Sequence, residues 1–421
     1  MESARATVRR RKVFYIPGYD PIHPRRYREL YRKEGAAQAE ISGYAIELRA
    51  RQGGGTYGWH VSADTGEGGA VEADFDVLVW SDIVRDSMDV GIFGTYLLLI
   101  RTAWTYIASG ALRRLMWLRK GPIIAALYPI FALILQLIAA LLAGWAAGAV
   151  LRFALGSFLP ALLVTLLFWA AFLPVAWQVL RWFQKIDNKI FVYYLMHDYA
   201  YSASTRGANP PELEARMAAF GDQIAAALTE DVDEVLVVGH SSGAHLAVSI
   251  LADLIRAGRV PPYGPQLSFL SLGQVVPMVS FLPEAKRLRR DLHDLSLQDR
   301  IPWVDVTAPG DGCAFALCDP VSVSGVEPAA GKKWPLVFSA AFTQTLTPER
   351  WAALRWRFFR LHFQYLCAFD APGDYDYFRI TAGPKTLWER YQDRPPSMSR
   401  IDICASKFTD MAKLPRGDGK A

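Results

Sequence analysis

Two neighbouring stretches without a charged residue most strongly constrain how this chain can fold. The first runs from Gly121 to Leu151 and the second from Phe153 to Leu180, with Arg152 between them. Each is longer than the roughly 20 apolar residues that a helix needs to cross a bilayer. Two such stretches in succession favour a membrane over the core of a soluble protein. The sequence therefore predicts a transmembrane hairpin with helices at about 122–150 and 154–180.

Basic residues flank the hairpin on its outer sides: Arg101, Arg113, Arg114, Arg119 and Lys120 before it, and Arg181, Lys185 and Lys189 after it. Because positive charge marks the cytoplasmic side of a membrane protein, we expect both flanks and both termini in the cytoplasm. The segment "YLLLIRTAWTYIASGALRRLMWLRK" mixes apolar and aromatic residues with arginines. It is interpreted as an interfacial helix at about 95–118, or alternatively as a helix packed on the domain.

Short apolar runs on both sides of the hairpin are typical of strands, and helical patterns alternate with them. This alternation predicts an α/β fold with a mainly parallel sheet. The segment around "GGGTYG" predicts an antiparallel hairpin at a sheet edge. The predicted strands are Val13–Ile16, Ala45–Leu48, Trp59–Ser62, Val77–Trp80, Val235–Val238, Phe269–Leu272, Trp303–Thr307 and Phe358–Phe363.

One domain with an inserted membrane segment explains this pattern better than two separate domains. The expected division is an N-terminal part of the domain at 1–90, the membrane insertion at 91–200, the C-terminal part at 201–390 and a tail at 391–421. Within the insertion, "MHDYAYS" follows the second span and contains Asp198. Its tyrosines favour an interfacial anchor, with a substrate path as the alternative.

The stretch "VDEVLVVGHSSGAHLAVSIL" combines a buried strand, a G-x-S-x-G turn and a helix. In this context the middle serine, Ser241, is expected at the tip of a sharp turn, where its hydroxyl is exposed and can act as a nucleophile. A plain turn of small residues is the alternative. Ser242 would be the nucleophile only if the turn were shifted by one residue.

This turn, the early "FYIPGYDP" segment and the order of the later polar residues resemble the α/β-hydrolase superfamily over about 1–90 and 205–385. The resemblance implies helices on both faces of the sheet and a catalytic order of serine, acid and histidine. It implies oxyanion donors at the amide of Ser242 and at Gly18 or Tyr19, with Tyr19 preferred, although "IPGYDP" could be a plain turn. The membrane hairpin would replace the lid that many relatives carry.

The order of the histidines limits the choice of base. His240 and His245 lie too close to Ser241 along the chain to turn back towards it. Of the seven histidines, only His362 follows the candidate acids. Asp311, just past a predicted strand, is the favoured acid; Asp319 and Asp305 remain open.

These residues predict a membrane-anchored serine hydrolase that cleaves a lipid or other amphiphilic ester through an acyl-enzyme. The alternatives are an acyltransferase with the same residues and an inactive scaffold or binding protein. The net charge of +5 gives no nucleic-acid signature, and no phosphate-binding loop, metal cluster or cofactor motif is recognisable. The expected partners are the bilayer and a lipid or small-molecule ester; the oligomeric state is left open.

Overall fold

A computed structural model describes residues 7–51 and 56–413, and in this part of the chain the strands form an 8-stranded sheet. The strands are β1 (Arg10–Ile16), β2 (Ala45–Ala50), β3 (Gly58–Asp64), β4 (Ala70–Val77), β5 (Glu234–His240), β6 (Gln266–Leu272), β7 (Trp303–Thr307) and β8 (Leu336–Ser339).

The helices before β5 include all of the apolar segments: α1 (Arg25–Ser42), α2 (Ser81–Met88), α3 (Gly91–Ala108), α4 (Ala111–Leu118), α5 (Lys120–Leu155), α6 (Ala161–Lys185), α7 (Asp187–Ile190), α8 (Val192–Ser204) and α9 (Pro211–Ala227). The helices after β5 are α10 (Gly243–Arg256), α11 (Val276–Ser280), α12 (Lys286–Ser296), α13 (Pro320–Val323), α14 (Phe342–Thr345), α15 (Pro348–Leu354), α16 (Phe358–His362), α17 (Tyr377–Ala382) and α18 (Leu387–Tyr391), with a 3-10 turn at Gln364–Leu366.

The strand order across the sheet is β2-β3-β4-β1-β5-β6-β7-β8. The pairs from β4 to β8 are parallel, whereas β2–β3 and β3–β4 are antiparallel. The predicted α/β fold with a mainly parallel sheet is confirmed, and the sheet is mixed. The antiparallel hairpin lies at the edge as expected, although residues 52–55 of its turn are outside the described part. Since β1 pairs with β5, the chain on both sides of the hairpin builds one sheet.

Apolar side chains on both faces of the strands explain why helices cover the sheet on both sides. In β1, Val13 and Tyr15 point into one core with α1 and the C-terminal helices. Phe14 and Ile16 point into the other core, formed with α2, α9, α10 and α12. A parallel sheet buried on both faces has this continuous apolar pattern.

The predicted strands at Val77–Trp80 and Phe358–Phe363 are wrong. β4 ends at Val77, so the rest of the predicted run Val77–Trp80 is not a strand. Within β4, apolar Val71, Ala73 and Phe75 alternate with polar residues. Alternation marks this strand better than a continuous apolar run does. A further strand, β8, is short and was not predicted.

The run Phe358–Phe363 is also not a strand. Its first five residues form the short helix α16 instead. The buried residues Leu361 and Tyr365 are four positions apart, which is helical spacing. His362 therefore approaches the sheet from a helix above the strands and not from a final strand.

Helices α5 and α6 are long and apolar enough to cross a membrane. They pack closely against each other at two glycines four residues apart. A Cβ at Gly144 would lie 2.6 Å from the carbonyl oxygen of Phe172, and one at Gly148 would collide with the Phe168 ring. Small residues at this spacing let two helices approach closely, as is common between membrane helices.

The segment predicted as an interfacial helix forms two helices, α3 and α4, which break at Ser109–Gly110. One side of α3 packs on α8 and the domain, and the Tyr106 hydroxyl donates to the carbonyl of Met278 at 2.9 Å. The opposite side exposes apolar residues, including Ile100 and Trp104. The packed side agrees with the alternative of a helix packed on the domain, whereas the interfacial position stays a prediction.

The described part of the C-terminal segment lies against the domain. The amides of Ser397 and Ala412 donate to the carbonyls of Val337 and Lys286 at 3.0 and 2.9 Å. Residues 414–421 of the predicted tail lie outside the described residues.

Candidate active site

Ser241 occupies the turn between β5 and α10, at the carboxyl edge of the sheet. Its φ of 56° is in the left-handed region, which costs energy for a residue with a side chain. The amide of Ser241 donates to the carbonyl of Leu272 at 2.9 Å, which fixes the turn to the neighbouring strand. Only glycine fits at position 243, because a Cβ there would collide with the carbonyl of Ile16. The turn therefore has the sharp, strained geometry expected for an exposed nucleophile.

The loop after β1 lies directly against this turn. A Cβ at Gly18 would be 2.9 Å from the Cβ of Ser241, so the Gly18 backbone passes beside the serine. The indole of Trp80 holds the loop by donating to the carbonyl of Pro17 at 2.9 Å. Gly18, Tyr19 and Ser242 line the same cavity as Ser241. The three positions expected to supply oxyanion donors are therefore grouped around the serine.

Asp311 and His362 meet as the sequence order predicted. Nδ1 of His362 donates to Oδ2 of Asp311 at 2.7 Å, since a carboxylate can only accept. The Tyr365 hydroxyl donates to the same oxygen at 3.0 Å, and the Cys313 amide donates to Oδ1 at 2.9 Å. These three hydrogen bonds fix the position of the buried Asp311 side chain.

The proton on Nδ1 leaves Nε2 of His362 as the nitrogen with a lone pair. Nε2 is buried and makes no hydrogen bond to any residue in the described part of the chain. His362 lines the cavity together with Ser241. An unoccupied acceptor is what a general base requires, and no hydrogen bond joins Ser241 to His362 among the described residues.

The two alternative acids are engaged elsewhere. Asp305 lies within β7, where its Oδ1 accepts from the Ser271 hydroxyl at 2.5 Å, and burial raises its pKa to about 8. Asp319 caps α13 by accepting from the amides of Val321 and Ser322, and it binds Nζ of Lys332 at 2.6 Å. Neither carboxylate contacts a histidine, so the geometry favours Asp311.

His240 adjoins the site, but its nitrogens are differently occupied. Its Nε2 donates to the carbonyl oxygen of His362 at 3.0 Å. Nδ1 therefore accepts, and the Tyr15 hydroxyl donates to it at 3.3 Å. Burial, together with the nearby His362, lowers the pKa of His240 to about 3. His240 is a neutral residue that holds the backbone of His362 in place.

A cavity of about 690 Å³ opens over Ser241 and His362, a size typical of a small-molecule site. Its walls come from sequence segments far apart, among them α8 and the start of α5. Asp198, Tyr194 and Tyr199 of α8 face this cavity, so "MHDYAYS" lines the candidate site, the alternative interpretation of this motif. Burial raises the pKa of Asp198 to about 7, and His362 opposes part of that rise.

The Cys313 thiol lies beside Asp311 and His362, and the three side chains form a group of metal-ligand type. Cys313 lines the cavity, but burial raises the pKa of its thiol well above the usual range and disfavours the thiolate nucleophile. Among the described residues, ligand atoms of Asp311, Cys313 and His362 are close enough to surround a cation. The 2.7 Å separation between Asp311 and His362 is that of a hydrogen bond, so in this arrangement the pair shares a proton.

Comparison with known proteins adds no assignment. No protein-family model, no curated protein and no solved structure matches the chain. The chemistry of the site has to be inferred from its own geometry.

Proposed function

We propose that this protein is a serine hydrolase of the α/β-hydrolase type. The observation that carries the proposal is the Asp311–His362 hydrogen bond in a cavity shared with the strained Ser241. The three residues come from a strand–helix turn, a loop after β7 and a short helix. Bringing them together is not required for packing a sheet, whereas an acyl-transfer site requires it.

In the proposed reaction, Nε2 of His362 takes the Ser241 proton while Oγ forms a bond to the ester carbonyl carbon. The amide of Ser242 and the backbone at Gly18 or Tyr19 stabilise the negative oxygen of the tetrahedral intermediate. Collapse breaks the ester C–O bond, and His362 returns the proton to the leaving alcohol. Water then attacks the acyl-enzyme by the same path, releasing the carboxylic acid and restoring the serine.

We further propose that α5 and α6 anchor the enzyme in a membrane, with the α/β domain and both termini in the cytoplasm. In the most apolar window of α6, only 11% of residues are buried in the protein. Leu135, Leu142 and Leu173 are each at least 60% exposed. An apolar surface this extensive needs lipid or another partner to cover it. The basic flanks support the cytoplasmic orientation.

The test is labelling of the detergent-solubilised full-length protein with a fluorophosphonate probe, which reacts with activated serines. We expect labelling of the wild type, none of Ser241→Ala, and undiminished labelling of Ser242→Ala, the neighbouring hydroxyl. An unlabelled wild-type protein with a cooperative thermal transition would contradict the hydrolase and leave an inactive binding protein.

The membrane proposal has its own test. Ser157→Cys, in the connection between α5 and α6, is expected to react with a membrane-impermeant maleimide added outside intact cells, whereas the exposed native Cys404 is not. Labelling of Cys404 from outside would reverse the proposed orientation.

A further inference from the structure

The cavity over Ser241 continues to the first turns of α5. Pro122, Ile124 and Tyr128 of that helix form part of its wall. The Tyr128 hydroxyl donates to the carbonyl of Ile190 at 2.8 Å and fixes this part of α5 to the junction of α7 and α8. The uncharged stretch of α5 begins at Gly121. The cavity therefore joins the catalytic edge of the sheet to the place where α5 would leave the membrane.

Aromatic side chains surround this end of the cavity. Phe191 and Phe359 have ring centroids 5.3 Å apart, and Tyr194 lies 6.2 Å from Phe359. Trp356, which also lines the cavity, is 72% exposed. Exposed tryptophan and phenylalanine side chains beside a membrane helix fit the region between lipid headgroups and acyl chains. An acyl chain can pass from the bilayer to Ser241 along such a wall without crossing water.

Three cationic side chains line the same cavity: Lys189, Arg357 and Arg360. None of them forms an ion pair with a carboxylate among the described residues. The lining also contains two acids: Asp20 binds Arg26 at 3.1 Å and the Tyr27 hydroxyl at 2.7 Å, and Asp198 forms no ion pair among the described residues. Cations without acidic partners attract an anion, and arginine suits phosphate because its donors bind two oxygens at once.

We infer that the cavity takes its substrate directly from the adjoining membrane leaflet and that this substrate is a phosphate-bearing amphiphilic ester. The inference rests on the proposed function, because it identifies the ester that Ser241 would attack. The acyl chain lies along the apolar wall at Ile124 and Phe191. The phosphate binds Lys189, Arg357 and Arg360, and the ester carbonyl reaches Ser241. A quaternary ammonium headgroup would place a fourth positive charge beside these three cations, so it is disfavoured at this site.

Binding can be measured without turnover by using a fluorescent alkyl-ether glycerol phosphate, which has no ester to cleave. In detergent micelles of neutral charge, we expect the double variant Arg357→Gln/Arg360→Gln to raise its Kd tenfold or more. The matched control is Arg355→Gln, an arginine of the same segment that does not line the cavity; its Kd should stay within about twofold. The ether that carries choline in place of the phosphate is expected to bind the wild type more weakly and to be insensitive to the double variant.

Each contrary result has a distinct meaning. Equal weakening by Arg355→Gln would show general surface attraction and overturn the inference. Equal affinity for the phosphate and choline ethers would also overturn it. Equally tight binding of a short-chain, water-soluble glycerol phosphate would identify a site for free phosphate compounds and not for a membrane lipid.

Fluorophosphonate labelling of the same preparation separates this inference from the proposed function. Labelling without a preference for the phosphate ether would contradict only the substrate. Preferential binding without labelling would contradict the hydrolase, and with it the assignment of this ligand as a substrate.

Discussion

His240 and His362 are both buried beside Ser241, with ring centroids 4.9 Å apart, but their surroundings differ in kind. His240 donates to a carbonyl oxygen and accepts from a tyrosine, so both of its nitrogens are occupied by neutral groups. His362 donates to the Asp311 carboxylate and keeps its other nitrogen unoccupied. The His240 ring therefore has a structural role, whereas the His362 ring is held in one orientation and has a lone pair that can accept a proton.

The difference teaches that closeness to the serine does not by itself make a base. An imidazole that accepts a proton becomes a cation, and in a buried site that cation needs a negative partner. Burial lowers the pKa of His240 to about 3 and leaves it neutral at physiological pH. Asp311 accepts a hydrogen bond from His362 and forms none with His240. Substitutions can test this contrast between His240 and His362.

The largest expected effect is that of His362→Gln. Glutamine cannot take up the Ser241 proton, so on the proposed mechanism ester turnover should fall by about 10⁵-fold or more, as it does when a serine protease loses its base. The measurement is turnover of a water-soluble short-chain ester, with the thermal transition as the control for folding. A larger loss in His240→Gln than in His362→Gln would exchange the roles of the two rings.

Asp311→Asn should produce the next largest effect. An asparagine amide would donate to Nδ1, place the ring proton on Nε2 and remove the lone pair that Ser241 needs. Loss of the correct tautomer costs about 10⁴-fold in a related catalytic set. Asp305→Asn is the matched control, since it removes a buried carboxylate from β7 that does not contact a histidine. Equal losses in the two variants would contradict the role of Asp311.

The contrast between the histidines was partly predictable from the sequence. A strand, a G-x-S-x-G turn and a helix form a strong local pattern, which pointed to Ser241. The chain order of the later polar residues then pointed to Asp311 and His362. The helix at Phe358–His362 was not predictable in the same way. Its aromatic and basic residues lack a clear period, and its conformation depends on contacts with the sheet below.

The cavity was the least predictable part. Lys189, Asp198, Arg357 and Arg360 belong to segments that are distant in sequence and meet only in three dimensions. In the sequence, Lys189 belongs to the basic flank of the hairpin, and the two arginines belong to an irregular loop and a short helix. The long apolar helices were evident because composition alone identifies them, but composition does not say what their ends contact.

The buried Asp305 of β7, which does not contact a histidine, leads to a prediction about stability and pH. Burial raises the pKa of Asp305 to about 8 in the folded protein, whereas an unfolded aspartate titrates near pH 4. Between these values the folded state retains a proton that the unfolded state has lost, so this residue makes the protein less stable as the pH rises. Asp305→Asn should remove that loss.

We expect Asp305→Asn to be near neutral at pH 4 and to stabilise the protein at pH 8 by an amount of the order of 5 kcal/mol. The measurement is the thermal transition in detergent from pH 4 to 8, compared with Ser271→Ala, which removes the hydroxyl partner but keeps the carboxyl group. A pH-independent difference between Asp305→Asn and the wild type would show that Asp305 is already ionised in the fold.

The smallest expected effect is that of His240→Gln. The glutamine amide can donate to the carbonyl of His362 in place of Nε2, so the bond that positions His362 is kept and turnover should stay within about tenfold of the wild type. His240→Phe removes the donor and leaves that buried carbonyl without a partner, a change worth about 1–3 kcal/mol. It should therefore reduce turnover further than His240→Gln while preserving its dependence on pH. A changed pH profile in His240→Phe would mean that His240 itself exchanges protons during the reaction, and the two rings would then act as a pair.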